Sequence, residues 1–129
     1  MRGRKFLVVW LVLGIWLLTW GGEQKVAAET AKLDRVVYIT LSKACGCLVE
    51  KCKAGDLVVE RVFVGERQGL LKRIDYSTDK ATAREYIRKY HLTYPPSLLF
   101  LDARGNLIWR ADGDVDYDAV LAKLKEFGA

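Results

Sequence analysis

The chain has 129 residues, 51% apolar and 29% charged, with 21 Lys and Arg against 16 Asp and Glu. That length allows one ordinary domain rather than two, and the apolar content excludes a disordered or collagenous chain. The net charge of +5 is unevenly placed, because four of the basic residues precede residue 29.

Arg2, Arg4 and Lys5 lead into a lipophilic run over residues 6–20, and Val26-Ala27-Ala28 has the small-residue pattern of a peptidase site. This order reads as an export signal over residues 1–28, leaving a domain over residues 29–129. Spanning a bilayer usually takes about 20 apolar residues, and this run of 15 is short of that, so cleavage is expected, with an uncleaved anchor as the alternative. Export places the domain in the periplasm or another extracytoplasmic compartment, touching membrane only through its N-terminal segment. Without residues 1–28 the net charge drops to +2, and no stripe of cations interleaved with aromatics remains to grip a phosphate backbone. Nucleic acid is excluded as a partner, and a monomer is expected.

The β-branched and aromatic run at 35–41 predicts a strand covered on both faces. Ser42 can cap the helix start that follows. Leu48, Val49, Cys52, Val59, Val62 and Phe63 then share helical spacing over 45–66, with a break predicted near Gly55. Residues 70–76 form a second strand. Ser77, Thr78 and Asp79 offer caps for a helix facing inward with Ala83, Tyr86, Ile87 and Tyr90. Residues 97–101 and 107–110 flank turn chemistry at 102–106 and read as a hairpin. A last helix opens after Gly113 and Asp114, with Tyr117, Val120, Leu121, Leu124 and Phe127 inward. The order β-α-β-α-β-β-α predicts an α/β three-layer helix/sheet/helix sandwich.

Cys45-Gly46-Cys47 at the first strand-to-helix junction, together with Tyr94-Pro95-Pro96-Ser97-Leu98-Leu99-Phe100 opening the third strand, resembles the thioredoxin-like fold family. The resemblance spans about 35–127 and includes Gly105 and Gly113. It implies that Pro96 is a cis-proline facing the reactive cysteine, with Tyr94 beside it in a substrate-peptide site. The chain departs from the family in having Cys-Gly-Cys where thioredoxins carry Cys-x-x-Cys. No Trp precedes Cys45, and Ile39 stands where thioredoxins bury an acid.

Three cysteines cannot all pair within one molecule. On a regular helix Cys45 and Cys52 lie about 10.5 Å apart along the axis and Cys47 and Cys52 about 7.5 Å, whereas a disulfide needs Cα atoms within about 7 Å. Cys45 and Cys47 can join only if the first turn opens at Gly46, and the resulting small strained ring would be readily reduced. The free amides and dipole of a helix start, with Lys43 nearby, favour thiolate, which makes Cys45 the candidate nucleophile and Cys47 the resolving thiol. Cys52 has the spacing of a small buried hydrophobe.

Two classes of function fit. The first is an extracytoplasmic thiol-disulfide oxidoreductase or isomerase acting on protein thiols or disulfides, with a redox partner and no cofactor. The second is a soft-metal module holding copper or zinc through Cys45, Cys47, Cys52 and His91, as in thioredoxin-fold copper chaperones. A degenerate fold member serving only as a binding partner is a third outcome. Tyr38, Tyr86, Tyr90 and Trp109 read as core or sheet-face aromatics. Asp112, Asp114, Asp116 and Asp118 lack the glycine and distal glutamate of a calcium loop and read as caps of the last helix.

Overall fold

A computed structural model of the chain describes residues 31–129; the expected export signal, residues 1–28, and its boundary lie outside the described residues. Strand β1 (Arg35–Thr40) leads to helix α1 (Gly46–Val62), a 3₁₀ turn (Gly65–Leu70), β2 (Leu71–Asp75), α2 (Lys80–Tyr90), β3 (Ser97–Leu101), β4 (Leu107–Asp112) and α3 (Tyr117–Glu126). The sheet order is β2-β1-β3-β4. β1 runs parallel to β2, while the β1–β3 and β3–β4 pairs are antiparallel.

The two central strands are buried on both faces because alternate side chains feed opposite cores. Val36 and Tyr38 of β1, with Leu98 and Phe100 of β3, pack against Val59 and Val62 of α1 and Val120 and Leu124 of α3. Val37, Ile39, Leu99 and Leu101 point the other way, onto Ala83 and Tyr90 of α2. Both clusters therefore depend on the same two strands. The result is a three-layer sandwich with α1 and α3 on one face and α2 on the other.

Several boundaries differ from those predicted. The first helix ends at Val62 rather than continuing to Glu66, and Gly65, with φ of 62°, redirects the chain into the 3₁₀ turn. There is no break at Gly55: α1 is continuous there, and Gly55 is buried. The final helix begins at Tyr117, with Asp116 as its N-cap accepting from the Ala119 amide. Tyr117, expected inward, is exposed because it occupies the first position of the helix, ahead of the turns that reach the sheet. No helix among the described residues is long and apolar enough to cross a membrane.

Candidate functional site

The cysteine motif straddles the start of α1. Cys45 is the N-cap residue in extended conformation, and its carbonyl accepts from the amides of Leu48 and Val49. Its side chain makes no capping bond, so it is left free at the helix end. Cys45 and Cys47 are exposed thiols, whereas Cys52 is a buried one, only 1% accessible. Burial pushes the Cys52 thiol up, an effect that outweighs bonds to it from Leu41 and Thr40 and favours its staying protonated.

The loop carrying Cys45 is tied to the end of β2. Asp75 Oδ1 accepts from the Ser42 amide at 3.2 Å and the Ser77 amide at 2.8 Å, and the Lys43 amide donates to Ser77 Oγ at 2.9 Å. Partial burial acts to raise the Asp75 carboxyl, but these donors, with the Ser42 hydroxyl, hold it below its usual range. The backbone of Lys43 thus anchors the loop, and its side chain is exposed.

Opposite the cysteines, the segment from Thr93 to Pro96 is fastened to the end of β4. Asp112 accepts from the Thr93 amide at 3.1 Å, the Thr93 hydroxyl at 2.9 Å and the Ser97 hydroxyl at 2.8 Å. Gly113 N donates to Pro96 O at 2.9 Å. Burial would raise Asp112, yet the Ser97 and Thr93 bonds hold its carboxyl down. The Pro95–Pro96 peptide bond is cis. Pro96 is buried, and Tyr94 is 64% exposed and faces the cysteines across a cleft.

Cys45, Cys47, Leu48, Lys51, Tyr94, Pro95 and Gly113 line one cleft of about 360 Å³. Its wall is largely hydrocarbon, so an apolar side chain flanking a substrate sulfur would lose water on entering it. The fold therefore brings Cys45, Cys47 and Tyr94 together, with Pro96 buried beside them. It does not bring in His91, which follows α2 on the far face of the sheet in left-handed conformation and is exposed. Among the described residues no three His, Cys, Asp or Glu side chains stand together so as to hold a metal ion, and the copper or zinc set of Cys45, Cys47, Cys52 and His91 is not assembled.

Beneath the cleft lies a polar group that the sequence does not announce. Tyr38 OH donates to Asp56 Oδ1 at 2.8 Å, Thr40 Oγ1 donates to the same oxygen at 2.7 Å, and Arg73 pairs with Oδ2 at 2.9 Å. Burial, then the neighbouring Asp56 carboxylate, pushes the Tyr38 phenol far above its ordinary range and keeps it a donor. A Cβ on Gly55 would lie 2.7 Å from Tyr38 OH and 3.1 and 3.2 Å from two carbons of the Pro96 ring. Glycine is what lets α1, Tyr38 and the proline loop meet. The available signal was Asp56 at i+4 from Cys52, a carboxylate on a buried helix face opposite Tyr38 and Thr40, which alternate onto the same sheet face.

No protein-family model matches the sequence, and no curated protein is similar to it at a significant level. Among solved structures, the chain is similar to the oxidised C-terminal domain of Neisseria meningitidis DsbD, with a TM-score of 0.52 and 17% identity over 74% of this chain and 79% of that one. It is also similar to a thioredoxin from Aeropyrum pernix, with a TM-score of 0.51 and 15% identity over 74% and 75% of the two chains.

Proposed function

We propose that this chain, whose fold is thioredoxin-like, is an extracytoplasmic thiol-disulfide oxidoreductase acting on protein thiols through Cys45 and Cys47. The observation that carries the reading is the cleft itself: two exposed sulfurs at a helix start share an apolar wall with Tyr94 and Pro95, while the third sulfur is sealed in the core. Sulfurs serving only to pack would be buried, as Cys52 is and as Cys45 and Cys47 are not.

In the reductive direction the Cys45 thiolate attacks one sulfur of a substrate disulfide, forming a Cys45–substrate disulfide and releasing the other substrate sulfur as a thiolate. The Cys47 thiolate then attacks Cys45 Sγ, releasing the second substrate thiolate and leaving Cys45 joined to Cys47. Two electrons pass from the enzyme dithiol to the substrate, and the released thiolates take up protons from water. A partner protein dithiol restores the reduced pair; run backwards, the same steps oxidise a client. Isomerisation uses the first step alone, followed by attack of another client thiol. Gly46 gives the two-residue step between the sulfurs the backbone freedom that ring closure requires.

The export signal over residues 1–28 belongs to this reading, since a dithiol in an oxidising compartment needs a redox partner to stay in use. Trapping tests the sulfur assignment. Cys47→Ser should accumulate mixed disulfides through Cys45, seen as non-reducing adducts that dithiothreitol removes. Cys45→Ser should form none, and equal trapping by Cys52 in that variant would refute the assignment.

A further inference from the structure

The aspartates before the last helix read in the sequence as a set of caps, and the structure divides them. Asp116 caps α3, and Asp112 is occupied by Thr93 and Ser97. Asp118 lies in the first turn of α3. Asp114 alone has no such duty: its side chain is 90% exposed, and its ion-pair contact is a loose one with Lys51 at 3.9 Å.

Asp114 stands in a second cleft of about 210 Å³, lined by Lys51, Ala54, Gly55, Gly113, Asp114, Val115 and Asp116. Lys51 and Gly113 also line the cysteine cleft, so the two form one trough along α1. From Cys45 to Lys51, the helix residue that meets Asp114, six positions advance about 9 Å, the reach of about three residues of extended chain. The near end is apolar and holds the sulfurs. The far end sets two carboxylates against one ammonium.

Resting on the oxidoreductase reading, we infer that the trough selects an extended polypeptide client with an apolar residue beside the reacting cysteine and a lysine or arginine about three positions away, received by Asp114. The incoming cation competes with Lys51 for a carboxylate that Lys51 holds only loosely. An acidic residue at that position would meet Asp114 and Asp116 together. Because the contact is exposed, the selectivity is modest and weakens with salt.

The test uses the purified, reduced full chain and seven-residue peptides whose central cysteine carries thionitrobenzoate in a disulfide. Leucine flanks the cysteine, and both ends are lysine, glutamine or glutamate, which makes strand direction immaterial. Attack by Cys45 forms a disulfide with the peptide and releases the coloured thionitrobenzoate anion, and Cys47 then frees the peptide as a thiol. At low salt, kcat/KM should favour lysine over glutamate by about fivefold, equivalent to about 1 kcal/mol. The ratio should fall towards one in Asp114→Asn and at high salt, and invert in Asp114→Lys. Equal rates for the three peptides, or a lysine preference that survives in Asp114→Lys, would overturn the inference while leaving the exchange reaction standing. Release no faster than that of Cys45→Ser would overturn both.

Discussion

Replacing Gly55 by alanine tests how the helix, the tyrosine and the proline loop fit together. On an exposed helix the change would stabilise by about 1 kcal/mol through propensity alone. Here the new methyl would sit 2.7 Å from Tyr38 OH and 3.1 Å from the Pro96 ring. Tyr38 is fully buried and its hydroxyl is bonded to Asp56, so it cannot swing aside without breaking that bond. Overpacking typically costs about 1–3 kcal/mol, and a hydrogen bond to a charged group contributes about 1.5–3 kcal/mol. With both costs counted and the propensity gain subtracted, Gly55→Ala should destabilise by about 1.5–5 kcal/mol, lowering Tm by at least roughly 6 °C for a domain of this size. Urea unfolding of wild type, both single variants and the double variant with Tyr38→Phe completes the measurement. Removing the hydroxyl removes the closest contact, so in the Tyr38→Phe background the alanine should cost at least about 1 kcal/mol less. Exchange through Cys45 should drop further than the loss of folded protein explains, because the methyl also pushes Pro96. Stabilisation by Gly55→Ala, or additivity with Tyr38→Phe, would refute the reasoning.

Iodoacetamide under native conditions should label Cys45 and Cys47 within minutes and Cys52 only on unfolding, as read by peptide mass spectrometry; early labelling of Cys52 would mean that α1 opens locally. The same spectra report the N-terminus, expected at Glu29 in protein recovered from the exported fraction. Asp75 and Asp112 are held below the ordinary carboxylate range of about 3.9. Their contribution to stability is therefore complete above that value and lost as pH falls through the lower folded-state values. Acid unfolding below about pH 4 should show this loss, and Asp75→Asn with Asp112→Asn should flatten it.

How much of this was legible depended on whether the cause was local. The runs Val36-Val37-Tyr38-Ile39 and Leu98-Leu99-Phe100-Leu101 announce doubly covered strands by themselves, and the order of elements follows. The sequence hides the end of α1 because Val62, Phe63 and Val64 continue an apolar pattern while the chain turns at Gly65. Gly55 looked like a helix weakener because its reason for being glycine lies on β1 and at Pro96, far away in sequence. Asp56 is silent in the sequence for the same reason: its partners Tyr38, Thr40 and Arg73 converge from two strands. Cys45, Cys47 and Tyr94 could be named from motif and position, but the trough extending to Asp114 needed the β4–α3 loop to be laid beside α1.

The two banks of the cysteine cleft hang from different parts of the fold. Asp75 and Ser77 moor the sulfur side to the end of β2, whereas Asp112 moors the proline side to the hairpin. In descent this amounts to modularity: the loop after β1 can acquire new thiol spacing, such as the single glycine between Cys45 and Cys47, without disturbing the opposite bank. The hairpin side can likewise change its charges without moving the sulfurs. Gly55 is where the two inheritances touch, and it leaves little freedom to either lineage of change.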